Sequence, residues 1–446
     1  MIFPKVHSVK KNSYKQTVNG FIPKTVFIPL DQDYEKDGKC LVEIGQPVEE
    51  GQLLSSRKNA SDEFSHNVYS SVPGILEDIV LCKTPSGKTV ESAKIKLKGS
   101  FKYLGKKQKD IDVKKLSPNA IIRDIAEKGI LNTFVTTSPT YLAEDVADVS
   151  RHKNRILIVR LFDDDPYRMI DGILSNLYQD KINEGIRILI KAIDADGIVV
   201  VTDNNFEKPD IFNPFDIPSF FLKFNVRSYS ATYKKSICKE IKKRTKQAPF
   251  SKINKYDLFV DSTTILEMYD CLKRDIPVLS RLVHVSGDCI PASGILNVPV
   301  GTTFKELAEQ CGGFLRNPGA IIVNGMITGY AAANLDVPVT KYVKSVSFIP
   351  KTQCPDQRQT VCIRCGNCRS VCPNHLSPDI IYRHIAGGMP ATADYQASAM
   401  LCFNCGLCNA ACPSRLPLSQ RIHEFALKRA QKEETSNEQG NEYEKQ

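Results

Sequence analysis

Cys362-Ile-Arg-Cys365-Gly-Asn-Cys368-Arg-Ser-Val-Cys372-Pro373 and Cys402-Phe-Asn-Cys405-Gly-Leu-Cys408-Asn-Ala-Ala-Cys412-Pro413 are two copies of one pattern, C-x2-C-x2-C-x3-C-P. The spacing predicts two [4Fe–4S] clusters. Three thiolates sit on one tight loop around a cube corner, and the fourth, just before the proline, reaches the other cube. The expected ligand sets are therefore Cys362, Cys365, Cys368 and Cys412 for cluster 1, and Cys402, Cys405, Cys408 and Cys372 for cluster 2. Zinc favours two separated pairs of ligands, and a disulfide framework belongs to small secreted chains; neither suits four cysteines in a run. Such clusters carry electrons one at a time.

A chain of 446 residues is too long for one core and implies three or four domains. The N-terminus lacks the apolar stretch of a signal peptide, and no apolar run is long enough to span a bilayer without a charge. The expectation is a protein that stays in the cytosol or is held to a membrane only through partners. Cys40, Cys82, Cys238, Cys271, Cys289, Cys311 and Cys354 are scattered without a pairing pattern, as packed thiols in a reducing compartment are. Cys354, close before the first motif, is a candidate to touch a cluster. So is His375 as a hydrogen-bond donor near a cluster sulfur. The net charge of +10 is spread in short basic runs that do not read as a nucleic-acid module.

Residues 1–104 read as β-rich, with short runs such as Thr25-Val-Phe-Ile-Pro cut by Gly45, Gly51 and Pro73-Gly74 at turn spacing. The phrase from Val42 to Leu54, followed by Ser70-Ser-Val-Pro-Gly-Ile-Leu, resembles a barrel-sandwich hybrid of the biotinyl/lipoyl type. Lys58 lies between its halves without the flanking signature of a modified lysine, and is read as unmodified. A basic linker follows, and residues 118–270 alternate helix and strand, which implies an open, Rossmann-like α/β sheet. Residues 275–350 return to short strands around one helix, compatible with a β-grasp domain. Residues 355–431 form the helical two-cluster domain, and 432–446 read as a disordered tail. The fold class is thus multidomain α/β and β.

With the cluster pair behind this domain order, the chain resembles the C subunit of the Rnf electron transport complex, a relative of the flavoprotein subunit of respiratory complex I. The most specific stretches are Pro277-Val-Leu-Ser-Arg-Leu-Val-His-Val-Ser-Gly-Asp288, Val300-Gly-Thr-Thr-Phe, Cys311-Gly-Gly-Phe and Asn334-Leu-Asp-Val-Pro-Val-Thr-Lys341, with the double cysteine motif. The resemblance implies electron exchange between a nicotinamide nucleotide, through bound FMN, and the clusters of a membrane complex that pumps sodium ions or protons.

One loop departs from the family pattern G-I-x-G-x-G-G-A-G-F-P-T. Here it reads Gly129-Ile-Leu-Asn-Thr-Phe-Val-Thr-Thr-Ser-Pro-Thr140, with Asn132, Phe134, Val135 and Thr137 where four glycines belong. Phe and β-branched Val do not take positive φ cheaply, and their side chains fill the space that a phosphate needs. Asp163-Asp-Asp-Pro166 stands for the family's Glu-Cys-Glu-Pro, and Thr232-Tyr-Lys234 for a Gly-Gly-Glu turn. The loop 129–140 is therefore degenerate, and neither FMN nor NAD is expected there. The acidic run 163–165 is read as a solvated loop.

The expected function is an electron-transfer subunit on the cytoplasmic side of the inner membrane, peripheral to it. It would relay electrons between membrane subunits and an acidic soluble carrier, flavodoxin or ferredoxin, that docks near the basic helix Lys234 to Lys246. Two alternatives stay open: an NADH dehydrogenase subunit with FMN in a modified loop, and a structural assembly subunit whose clusters only stabilise the fold.

Overall fold

A computed structural model describes residues 16–32, 38–58, 63–165, 167–203, 215–224, 234–354, 358–387, 393–402 and 404–426. Pro166, Thr232, Tyr233 and the expected tail 432–446 lie outside them. The chain divides into two compact units, one ending at Cys354 and the other covering the cysteine motifs.

In the larger unit the first β-rich stretch forms β1 (Thr25–Pro29), β2 (Pro47–Val48), β3 (Leu53–Lys58), β4 (Ser65–Tyr69), β5 (Gly74–Lys83) and β6 (Thr89–Leu97). An antiparallel sheet of order β1-β6-β5-β2 stands with the separate hairpin β3-β4. Alternate residues point inward, so Val26, Ile28, Leu54, Val68, Leu76, Ala93 and Ile95 make one core. Gly45 and Gly51 take φ of 89° and 80° at the turns that the sequence marks. Lys58 ends β3 opposite Ser65 and is exposed.

Next come α1 (Pro118–Glu127), α2 (Leu142–Ser150), β7 (Ile156–Arg160), α3 (Asp171–Leu177), α4 (Gln179–Ile193), β8 (Gly197–Asp203), β9 (Ser219–Phe224), α5 (Lys234–Arg244), β10 (Leu258–Asp261) and α6 (Ser262–Arg274). The four strands are all parallel, in the order β9-β8-β7-β10. Every residue of β7 is buried, because a parallel sheet covered on both faces needs a continuous apolar run. Leu157, Val159, Ile198, Val200, Leu258 and Val260 face the core shared with α1, α2, α4 and α6. Ile156, Ile158, Val199, Val201 and Phe259 face the opposite core, which α5 closes with Ile237, Cys238 and Ile241. Gly185 lets α4 approach α6; a Cβ there would stand 2.5 Å from Ile265 Cγ2.

The third part of this unit holds β11 (Ser280–Ser286), β12 (Gly294–Pro299), α7 (Phe304–Gln310), β13 (Pro318–Val323), β14 (Tyr330–Ala331) and β15 (Ser345–Pro350). Its mixed sheet runs β12-β11-β15-β13-β14, with Val18–Asn19 added in parallel along β12. The helix α7 opens with a capping box between Thr303 and Glu306 and buries Phe304 and Leu307 against this sheet.

Lys344, just before β15, ties the mixed sheet to the parallel one. Its ammonium donates to Asp171 at 2.8 Å and Asp261 at 2.6 Å, and all three side chains are fully buried. Asp171 also accepts from the Thr263 hydroxyl and backbone N–H, and Asp261 from the Thr264 N–H. Burial alone would raise the Asp261 carboxyl, but Lys344 and Arg160 outweigh it and hold the group below the usual carboxylate range.

Removing the cation would leave two carboxylates in a dry site, at a cost of about 3–5 kcal/mol. Lys344→Met should lower the stability of the larger unit by that amount, read from the urea midpoint followed by far-UV circular dichroism, with iron content per chain unchanged. A variant as stable as the parent would mean that the carboxylates are already protonated or hydrated.

Candidate cluster site and the crevice of the parallel sheet

The cysteine-bearing unit repeats itself at an offset of forty residues, in backbone as well as sequence. Short helices α8 (Asn367–Ser370) and α11 (Leu407–Ala410) each start from a left-handed glycine, Gly366 with φ 78° and Gly406 with φ 71°. Arg364 and Asn404, then His375 and Arg415, are equivalent non-glycine residues at positive φ, between 50° and 55°. Each ligand loop closes with the same bonds: Cys372 N–H to Arg369 O and Cys412 N–H to Asn409 O, then His375 N–H to Cys372 O and Arg415 N–H to Cys412 O. The proline after each motif ends the loop and turns the chain toward a longer helix, α9 (Pro378–Ala386) or residues 418–426. Between them α10 (Ala393–Met400) returns the chain to the second motif.

Two cavities open inside this unit. One is lined by Cys362, Cys365, Cys368 and Cys412 with Asp379, and the other by Cys402, Cys405, Cys408 and Cys372 with Ser419. Each cavity thus draws three cysteines from one motif and the last cysteine from the other. The sulfurs surround a space and not a point: among the described residues no three Cys, His, Asp or Glu side chains converge closely enough to hold a single metal ion. Burial pushes the Cys402 thiol up to about 11 and raises Cys368 and Cys408 as well, and neighbouring cysteines add to the rise at Cys402 and Cys408. Thiolates gathered this way need a multivalent cationic partner, and an iron–sulfur cube is the group that this donor set and space fit.

Backbone amides already reach two of the sulfurs. Leu376 N–H lies 3.3 Å from Cys372 Sγ and Asn404 N–H 3.4 Å from Cys402 Sγ. The donor at Cys372 is therefore Leu376 and not the side chain of His375, which is exposed. Cys354 lies in the larger unit, with its thiol 3.5 Å from Pro350 O. The sequence reading missed the ion pair of Arg369 with Asp379, bidentate at 2.7 Å and 2.7 Å, whose carboxylate stands 3.8 Å from Cys368 Sγ. The forty-residue repeat could have located it, since Arg369 and Asp379 fall opposite Asn409 and Ser419.

The loop 129–140 packs tightly at the end of the parallel sheet. Asn132 donates to Asp145 and to Phe259 O, and Thr133 to Asp261. Phe134 is 2% exposed, with the Arg160 guanidinium 4.1 Å from its ring centroid and Phe259 at 5.3 Å. Thr136 accepts from Arg168, and Thr137 O from the Tyr330 hydroxyl. The surviving Gly129, at φ 65°, has a local reason: a Cβ would stand 2.6 Å from Lys341 Nζ and 2.7 Å from Asn67 O. Lys341 donates to the carbonyls of both Asn67 and Gly129.

The acidic run 163–165 is buried, contrary to the solvated loop that its composition implies. Asp163 accepts the N–H groups of Ile170, Asp171 and Gly172 at the start of α3, and pairs with Arg168. Burial, then the nearby Asp171, raises it to about 6. Asp164 pairs with Arg168 and Arg160. Asp165 accepts from Tyr167, Met326, Ile327 and Thr328, and burial raises its carboxyl too. Backbone amides at both ends of the run recruit these carboxylates inward, which a composition-based reading does not see. Lys234 also turns inward: burial lowers its pKa, Asp145 lies nearby, and its ammonium sits 5.3 Å from the Phe259 ring centroid. It is not part of an outward basic face.

Residues 5–100 match the family described as RnfC Barrel sandwich hybrid domain, and residues 358–416 the 4Fe-4S dicluster domain family. The C subunit of the proton-translocating ferredoxin:NAD(+) oxidoreductase complex of Clostridium ljungdahlii is 27% identical over 81% of this chain and 78% of its own length. The C subunit of the ion-translocating oxidoreductase complex of Rhodobacter capsulatus is 24% identical over 82% of this chain and 71% of its own. The C subunit of the Na(+)-translocating ferredoxin:NAD(+) oxidoreductase complex of Acetobacterium woodii is 24% identical over 83% of each chain. With a match to the RnfC barrel sandwich hybrid domain at one end, a dicluster domain at the other, and these relatives running across four fifths of the chain, the protein is similar to Rnf complex C subunits along most of its length.

Proposed function

We propose that the chain is an electron-transfer subunit of an Rnf-type ion-translocating complex, relaying electrons between a soluble carrier and membrane subunits through two [4Fe–4S] clusters, without FMN or NADH in its own crevice. The observation that carries this reading is the exchange of the last cysteine between two four-thiol cavities. Cys362, Cys365, Cys368 and Cys412 would hold one cluster and Cys402, Cys405, Cys408 and Cys372 the other. A bound cluster of this kind stores and releases single electrons. The protein's part is to fix the thiolates and aim amides at the sulfurs; Leu376 and Asn404 both donate at the cavity of Cys402, Cys405, Cys408 and Cys372, which favours the reduced state of the cluster there.

The flavin-free half of the proposal is supported by the occupied crevice. Phe134 fills the place of a glycine, and its carbonyl is taken by Arg160. A phosphate would have to displace this ring and the ion pairs of Arg160 and Arg168 with Asp163 and Asp164 together. The parallel sheet then acts as a Rossmann-like scaffold and the mixed sheet as a β-grasp support, with residues 355–431 as the working domain. Fold does not carry the family activity without its site.

Among the described residues no helix is long and apolar enough to cross a membrane. We place the chain on the cytoplasmic face, held there by membrane subunits. An acidic flavodoxin or ferredoxin would dock on α5, whose Lys239, Lys242 and Lys243 are exposed while Arg244 is engaged by Glu240 at 2.8 Å.

Anaerobically purified full-length chain should carry about eight irons, no flavin, and visible absorbance that bleaches with reduced flavodoxin or ferredoxin but not with NADH. Bound flavin with bleaching by NADH would replace this reading with a dehydrogenase; clusters that no low-potential donor reduces would replace it with a structural role. Cys412→Ser should abolish the same paramagnetic signal as Cys362→Ser, and Cys372→Ser the same one as Cys402→Ser. Loss of one signal for each motif, with no crossing, would refute the ligand sets. Reversing charge at Lys239, Lys242 and Lys243 should slow reduction by an acidic carrier about tenfold at low salt, with the difference shrinking as salt rises. Unchanged rates would remove α5 as the docking face.

A further inference from the structure

The forty-residue repeat supplies its own control at one position. In the first half Asp379, at the second residue of α9 and only 5% exposed in its side chain, is held by Arg369 and more loosely by Arg383 at 3.6 Å. It lines the cavity of Cys362, Cys365, Cys368 and Cys412. In the second half the same two places are Asn409 and Ser419, joined by a neutral bond from Ser419 N–H to Asn409 Oδ1 at 2.9 Å. The third cysteine of each motif meets an oxygen in both halves, Cys368 Sγ a carboxylate at 3.8 Å and Cys408 Sγ an amide at 3.7 Å. One scaffold thus presents a charged pair to one cavity and an uncharged pair to the other.

The two members of the charged pair face different surroundings. Asp379 is buried beside the sulfur, whereas the Arg369 side chain is 46% exposed and screened by water. The carboxylate is therefore the stronger influence on the cavity, and the guanidinium moderates it from outside. Negative charge near a cluster disfavours the electron that it would accept, and positive charge favours it.

We infer that the Arg369–Asp379 pair sets the reduction potential of the first cluster independently of the second, so that the two nearly repeated halves hold electrons with different affinity. This rests on the two-cluster reading proposed above. Asp379 and Arg369 are positioning residues that act through Cys368 and its cluster; neither is a ligand. The step concerned is the transfer of one electron from a mediator to an oxidised cluster. The mediator is oxidised, the cluster gains one negative charge, and no bond is made or broken.

The test is an anaerobic potentiometric titration of the full chain, with each cluster followed by its electron paramagnetic resonance signal. Asp379→Asn should make one cluster about tenfold easier to reduce at a given potential, a rise of about 59 mV for one electron, and leave the other in place. Arg369→Gln should move the same midpoint down, by less than the aspartate variant moves it up, and Arg369→Lys should hold it near the parent value. Ser419→Asp, which carries the charge into the other half, should lower the other midpoint only.

A purely structural role for the pair would reduce iron content or broaden both signals in every variant, without shifts of opposite sign. That result would overturn the inference, as would Asp379→Asn and Ser419→Asp moving the same midpoint, or no movement with both clusters intact. If Asp379→Asn fails to retain iron, the Ser419→Asp and Arg369→Gln shifts decide it. A parent protein that shows no pair of one-electron cluster signals refutes the two-cluster reading itself, and is distinguished from failure of the tuning by its iron content.

Discussion

The larger unit depends on one cation that has left water. Lys344 stands between Asp171 and Asp261 with none of the three exposed, and desolvation on that scale is tolerable because both carboxylates accept further hydrogen bonds, Asp171 from Thr263 and Asp261 from Thr264 and Thr133. The triad joins the ends of α3, β10 and β15, elements far apart in sequence. It therefore fixes how the parallel sheet meets the mixed one. Arg160 and Arg168 extend the same charge balance to Asp163 and Asp164, and Phe134 is held against Arg160. The packing of loop 129–140 follows from this network as much as from the loop's own residues.

The cysteine-bearing unit solves a different problem with little apolar core. Its helices are short, and its buried cluster around Leu416 and Leu418 includes Cys368 and Cys408 themselves. Positive φ at Gly366, Gly406, Arg364 and Asn404 bends each ligand loop so tightly that three sulfurs face one cavity. The proline after the fourth cysteine turns the chain away, and the fourth sulfur is left facing the other cavity. Neither half can complete its own four-thiol wall, so the repeat is an obligate pair.

Much of this was legible beforehand. The cysteine pattern groups the eight thiols into two sets of four, and two cavities are lined by those sets; that each set holds a cluster is the proposal made above. The alternation of helix and strand over 118–270 was visible, and the structure has α1 to α6 and β7 to β10 there. What escaped depended on partners distant in sequence. The run Asp163 to Asp165 looked solvated because its acceptors are satisfied by amides near 170 and near 327. Lys234 looked like part of a basic face, yet its helix begins against Asp145 and Phe259. His375 was the expected hydrogen-bond donor near a cluster sulfur, while the donor at Cys372 is the amide of Leu376. Side-chain identity announces charge, not the backbone that will receive it.

Equivalent positions in the two halves also differ in access. Cys365 is exposed, whereas its counterpart Cys405 is 8% exposed. Small oxidants and alkylating reagents arriving from solvent meet the first motif at that sulfur and find the second one covered. Solvent thus reaches the first motif at a sulfur whose counterpart in the second is sheltered, even though the two share one backbone plan.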